Sequence, residues 1–291
     1  MKRLVLFVAL LLSPVVFAMA QDGPDADNGS VAVKWVRHKM DGSRTGVTAP
    51  NVANVKEALG VVDGKKYTAP NGKVFTKGST PEVARILIAA QDAMAPVKEV
   101  IGTSAKEMRR YRPQCELSNW FTDFFRAKTA ELTGRQVDVA IYNFGGIRTD
   151  MPEGDILVDD IYSMFPFNNT LCYVALKGSD LRYIFDYLAR TRMQAFSGAK
   201  VVVKDHKIQS ITIDGKPLDD KKIYGVATIN FLLTGGDGLY VAKNAKELID
   251  SGVCVKDALV PYVRELTAEN KLVDGELDDR ITIIGDIKDY R

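Results

Sequence analysis

Two stretches of this 291-residue chain hold residue types and spacings that could do chemistry together. The first, Asn143 to Asn169, reads N-F-G-G-I-R-T-D-M-P-E-G-D-I-L-V-D-D-I-Y-S-M-F-P-F-N-N. The second, Ala227 to Gly238, reads A-T-I-N-F-L-L-T-G-G-D-G. Each joins a strand-like run to a glycine-rich loop carrying an aromatic ring and a polar or charged group. Gly145 and Gly146 follow the apolar run V-D-V-A-I-Y. Ligands of open α/β sheets bind at such strand ends, and glycine lets backbone N–H groups approach an anion. Arg148 adds a planar, permanently charged fork suited to phosphate or carboxylate. Alone, G-G-x-R also describes a tight turn beside a surface arginine.

Phe167 lies outside any apolar periodicity, and Asn168 and Asn169 beside it offer the paired donors and acceptors that read a base edge. Phe231 follows a second strand, and Asp237 sits among Gly235, Gly236 and Gly238, where a carboxylate can accept two ribose hydroxyls or cap a turn. Two aromatic rings on two such elements can stack a base, at about 1–3 kcal/mol per base. Together these are the parts of a pocket for a flat ring on a sugar phosphate.

Composition narrows the partners. The chain has 39 Lys+Arg against 37 Asp+Glu, and Lys2 and Arg3 account for the difference. A balanced chain has no broad footprint for nucleic acid or a membrane surface, so an anion site must be local. Met1 to Ala20 reads as a signal peptide: Lys2 and Arg3 precede the apolar run Leu4 to Phe17, which leads to Ala18-Met19-Ala20. That run is short for a span of ~20 residues. The expectation is export to the periplasm or beyond the cell after cleavage near Ala20/Gln21, with no membrane span in the mature protein. Cys115, Cys172 and Cys254 are far apart and lack zinc-ligand spacing. One disulfide or three buried thiols are both compatible with them, and the apolar run T-L-C-Y-V-A-L around Cys172 favours the thiols.

The elements that must position these residues form an α/β pattern with a mixed sheet. Residues 21–78 read as an irregular N-terminal extension with turn signals and one short strand, V-A-V-K-W-V at 31–36. A linker helix over 79–102 follows, capped by Ser79 or Thr80 with Pro81 in its first turn. Its apolar face is Val83, Ile86, Leu87, Ala90, Met94 and Val97, Pro96 can kink it, and Gly102 ends it. Within 103–291, helices are predicted at 117–132, 158–164, 179–192 and 256–269. Strands are predicted at 137–142, 170–176, 200–204, 208–213, 222–229 and 280–284.

In combination, G-G-I-R, then P-F-x-N, then T-x-x-F-x-x-x-G-G-D-G resembles the C-terminal domain of the 5′-nucleotidase / UDP-sugar hydrolase / 2′,3′-cyclic-nucleotide phosphodiesterase family. The resemblance runs from about Thr80 to Arg291 and includes Ser197-Gly198. It implies a layered fold whose C-terminal domain binds the nucleoside, while a separate metallophosphoesterase domain holds two metals and cleaves. On matching positions, Phe167 and Phe231 would stack the base. Asn143, Asn169 and Gly198 would line the site, Asp237 would hold the ribose, and Arg148 would face the phosphate. The family supplies further arginines earlier; here Tyr111 stands at one such place, with Arg110 and Arg112 beside it.

The hydrolytic half is the larger departure. A two-metal phosphoesterase needs several His and carboxylate ligands, yet the chain has two histidines, His38 and His206, and lacks D-x-H, G-N-H-[DE] and H-x-H. No catalytic or metal-ligating residue is expected here, and divalent metals are expected only on a partner. Four readings follow: an exported nucleotide-recognition protein serving a separate metallophosphoesterase chain, a nucleoside or nucleotide binding protein acting alone, an autonomous 5′-nucleotidase, which the histidine count opposes, or a family fold that has lost its ligand.

Overall fold

The computed structural model describes residues 49–286 and Tyr290. The signal peptide and its cleavage site, the strand expected at 31–36 and His38 lie outside the described residues.

The segment before the linker is not irregular where it is described. A short helix α1 (Val55–Leu59) leads into an antiparallel meander of β1 (Val61–Asp63), β2 (Lys66–Thr68) and β3 (Val74–Phe75). Gly64 and Gly72 adopt positive φ in its two turns. The next helix, α2 (Thr80–Met94), starts as the Ser79-Thr80-Pro81 signal predicts but stops earlier than Gly102. A 3₁₀ turn holding Pro96 covers 95–98, and β4 (Val100–Ser104) is already a strand. Gly102 instead lets a later helix approach: a Cβ there would lie 2.6 Å from Val263 Cγ1. The burial of α2 is also reversed. Val83, Ile86, Leu87 and Met94 are exposed, while Pro81, Ala84 and Gln91 face inward.

The rest builds the site. After α3 (Glu116–Thr133) come β5 (Val139–Tyr142), β6 (Gly154–Leu157), α4 (Val158–Met164), β7 (Thr170–Lys177) and α5 (Gly178–Arg190). Next are β8 (Ala195–Ser197), β9 (Ala199–Lys204), β10 (Lys207–Ile213), β11 (Lys216–Pro217), β12 (Ile223–Ile229) and the one-turn helix α6 (Asn230–Leu233). The chain closes with β13 (Glu247–Cys254), α7 (Val255–Ala268) and β14 (Ile281–Ile284).

The central sheet has the order β13-β7-β12-β5-β8, with only β12 and β5 parallel. A second sheet, β11-β10-β9-β14, has β14 parallel to β9, and β4 pairs with β6. Leu171 through Leu176 and Val139 through Tyr142 are buried without alternation, as expected of strands covered on both faces. On the central sheet lies α3, its Phe121 and Phe125 ringed by Tyr142 and Phe165. Packed against both β7 and β10, α5 ties the two sheets together.

A buried arginine locks the base of α3 to the C-terminal segment. Arg280, 8% exposed, donates to Asp278, Asp123, Thr122 Oγ1 and the Phe196 carbonyl, at 2.8 to 3.2 Å. Its fork is filled on every side, so its charge is compensated where it is buried. The three cysteines stand as free thiols: Cys115 caps α3 by accepting from Ser118 N at 3.3 Å, and burial pushes the Cys172 thiol up to about 12. His206 sits in the β9–β10 hairpin turn, stacked on Tyr290 with ring centroids 4.7 Å apart.

Candidate functional site

The parallel pair β5 and β12 ends in the two glycine loops, and this register brings them together. After β5 the chain turns through a 3₁₀ segment, Phe144–Gly146, with Gly146 N donating to Asn143 O at 2.9 Å. After β12, α6 gives way to the loop Gly235–Gly238, where Asp237 has φ +50°. Asp and Asn tolerate this left-handed conformation better than most residues. The two loops are joined by Asn143 Nδ2, which donates to Asp237 Oδ2 at 3.0 Å. Asn143 is 5% exposed and its Oδ1 has no protein partner, which leaves one buried acceptor unsatisfied beside Asp237.

The aromatic rings stand at either end of a continuous run of contacts. Arg148 Nη1 donates to the Gly145 carbonyl at 3.1 Å, and its guanidinium lies 5.8 Å from the centre of the Phe167 ring. At the other end the glycine loop folds under Phe231, where a Cβ on Gly236 would meet the ring at 2.6 Å. Phe167 is 47% exposed and Phe231 45% exposed. Both rings therefore keep an open face beside the joined loops.

A cationic wall completes the group. Arg110 donates to the Ile147 carbonyl through Nη1 at 2.5 Å, and Asp150 Oδ1 accepts from its backbone N–H. Arg112 lies over the Phe144 ring at 4.8 Å, with its Nε buried and unpartnered. Burial, together with the Arg192 and Arg110 charges, pushes the Arg112 guanidinium down to about 10, against the attraction of Asp237. It remains charged at neutral pH and lacks a full set of acceptors, which is the condition of a group that gains from an anion.

The structure therefore gathers Asn143, Arg148, Phe167, Phe231, Asp237, Arg110 and Arg112. Asn169 borders them: its side chain bonds to the Tyr142 hydroxyl and its carbonyl accepts from Val255 N. Asn168 turns away to Lys256 Nζ at 2.7 Å. Gly198 is not brought to this group. A Cβ on it would lie 2.0 Å from the Asp138 carbonyl, at the opposite end of β5 from Asn143. The five residue steps from Asp138 to Asn143 span roughly 17 Å of extended chain.

Two residues without a sequence signal reach the site. Gln194 Oε1 accepts from Phe144 N at 2.8 Å and orients the 3₁₀ turn, and Arg192 adds charge beside Arg112. Both sit between α5 and β8, where the antiparallel register of β8 with β5 sets them beside the end of β5. Only that register could have found them. Among the described residues, no three His, Cys, Asp or Glu side chains form a group able to hold a metal ion, so the two-metal centre implied by the family does not fit these residues. No helix among the described residues is long and apolar enough to cross a membrane.

Residues 100–244 match the family model of the 5′-nucleotidase C-terminal domain. The chain carries the C-terminal domain of the 5′-nucleotidase family. Protein UshA of Escherichia coli (strain K12) is 32% identical over 144 residues, covering 47% of this chain and 26% of the relative. Cell wall protein Lmo0130 of Listeria monocytogenes is 28% identical over 261 residues, covering 78% of this chain and 33% of the relative. The crystal structure of a 5′-nucleotidase precursor from Thermus thermophilus superposes with a TM-score of 0.62 at 26% identity, over 76% of this chain and 46% of that one. The chain thus spans about a quarter to a third of these curated relatives, and the match lies in the domain that carries the two glycine loops.

Proposed function

We propose that this protein recognises a nucleotide and is the substrate-binding half of an exported nucleotide phosphohydrolase of nucleotide catabolism, whose metallophosphoesterase half is a separate chain. The observation that carries the reading is the Asn143–Asp237 bond, which joins two glycine loops: Arg148 links the first to the half-exposed Phe167, and the second folds under the half-exposed Phe231. The base stacks between Phe167 and Phe231, with Asn169 at its edge. Asp237 keeps one carboxylate oxygen on Asn143 and turns the rest of its acceptor capacity to the 2′- and 3′-hydroxyls of the ribose. Arg148, Arg112 and Arg110 face the phosphate, where the fork of each guanidinium matches the oxygens of the anion.

In this division of labour the present chain binds and orients the nucleotide, and the partner supplies divalent metals and the attacking water. The scarcity of histidine, two in the sequence, and the lack of D-x-H, G-N-H-[DE] and H-x-H support placing the metals on the partner. The test is phosphate release from AMP and UDP-glucose with Mn²⁺. The full chain alone is expected to be inactive, and activity is expected when a candidate partner phosphoesterase is added. Metal-dependent turnover by the chain alone, lost on substituting one of its own residues, overturns the split.

A further inference from the structure

A second cleft lies behind the glycine loop, between α5 and the segment 238–244. It encloses about 660 Å³, within the usual range of small-ligand sites. Three tyrosines line it. Tyr183 is 66% exposed and Tyr240 is 62% exposed, and Tyr187 is half-buried at the base. The Tyr187 hydroxyl is seated against Gly238, 3.5 Å from the Asp237 carbonyl oxygen, and the Tyr240 ring packs on Gly235. Tyr187, which also packs against the core, and Tyr240 are therefore held by the glycine loop, while Tyr183 and Tyr240 are largely exposed. At the rim Asn244 Nδ2 donates to Asp180 Oδ1 at 2.5 Å, which fixes an amide and a carboxylate side by side. The nucleotide reading uses none of these side chains.

We propose that this cleft is a second ligand site, and that it takes a sugar ring. A pyranose has an apolar face of C–H groups and a belt of hydroxyls around its edge. Open tyrosine faces match the first, and a fixed Asp180–Asn244 pair with unused acceptors and donors matches the second. A free phosphate would meet the Asp180 carboxylate, and a purely aromatic ligand would leave the Asp180–Asn244 pair desolvated. The site is separate from the ribose position: Asp237 Oδ2 faces Asn143, whereas the next residue, Gly238, faces Tyr187. The inference does not rest on nucleotide binding, although the two sites share the loop as a wall.

The test is a ¹H–¹⁵N NMR titration of the labelled full chain with methyl β-D-glucopyranoside, N-acetylglucosamine and maltose, with indole as an aromatic probe. At least one sugar is expected to give saturable shifts confined to amides of 179–187 and 238–244. A Tyr183→Ala/Tyr240→Ala variant should lose at least tenfold in affinity with the rest of its spectrum unchanged, since both rings are largely exposed. Asp180→Ala should weaken the sugar at least fivefold and leave indole alone. Phe167→Ala should bind the sugar as the parent does, which separates failure here from failure of the nucleotide reading. No saturable shift with any sugar, shifts that persist in the double variant, or saturation of the cleft by indole alone would overturn the proposal.

Discussion

Replacing Asp237 separates ligand recognition from support of the fold, because its carboxylate holds Asn143 in the structure and is proposed to hold the ribose. One oxygen accepts from Asn143 Nδ2 at 3.0 Å, and Asn143 is 5% exposed with its Oδ1 already unpartnered. Asp237→Ala leaves that amide buried with no partner, at a cost of about 1–3 kcal/mol. It also places alanine at φ +50°, which adds roughly 1–2 kcal/mol. At about 2–4 °C per kcal/mol for a chain of this size, the melting temperature should fall by roughly 4–20 °C. The ligand loses two hydrogen bonds to a charged acceptor. At about 1.5 kcal/mol each, the low end for such bonds, adenosine affinity falls about a hundredfold. Dideoxyadenosine offers neither hydroxyl, so its affinity should change by less than about threefold. Asp237→Asn keeps an acceptor for Asn143 and tolerates the left-handed backbone, so it should restore most of the melting temperature and only part of the adenosine affinity. Calorimetric titration with both nucleosides, beside thermal melts, reads the two effects separately. Equal losses for adenosine and dideoxyadenosine would show that Asp237 only holds the loop, and the ribose assignment would be refuted.

Arg148→Ala should weaken AMP about tenfold or more and adenosine little, because of the ligand's groups its guanidinium is proposed to meet the phosphate; calorimetry with the two ligands checks this. Arg112 should make the free protein responsive to anions. A cation whose folded pKa is depressed destabilises the free fold while it stays charged, which is at every pH below about 10. Phosphate at neutral pH should therefore raise the melting temperature more in the parent than in Arg112→Met, and equal shifts would exclude Arg112 from the anion site. Arg280→Ala should cost about 1–3 kcal/mol through its buried hydrogen bonds to Thr122 Oγ1 and the Phe196 carbonyl, since Asp123 and Asp278 are about half-exposed and keep water as a partner. That is a fall of roughly 2–12 °C in the melting temperature, measured by scanning calorimetry.

What the sequence made legible follows from where local pattern and burial agree. The six consecutive buried residues of β7 and the four of β5 read as strands because a strand covered on both faces has no alternation to disguise. The paired elements were legible because Phe167 in P-F-N-N and Phe231 before T-G-G-D-G have no core periodicity to explain them. The apolar stripe on α2 was read as a core face, yet Val83, Ile86 and Leu87 are exposed; periodicity locates a stripe but not what covers it. The charged, alternating run of β13 carried no strand signal, being a sheet edge. The resemblance places Gly198 at the ligand, whereas in the structure this glycine is needed where β8 crosses close to Asp138. Gln194 and Arg192 could not be read at all, since only the register of β8 on β5 brings them to the site.

Calorimetric titration of AMP into the parent chain and into Phe167→Ala, Phe231→Ala and the double variant tests most directly whether these two rings, beside the joined glycine loops, clamp a nucleotide. Each single substitution should cost about 1–3 kcal/mol, and the double variant should lose measurable binding. Both rings are about half-exposed, so the variants should melt close to the parent. AMP binding of equal strength in the parent and the double variant would contradict the account.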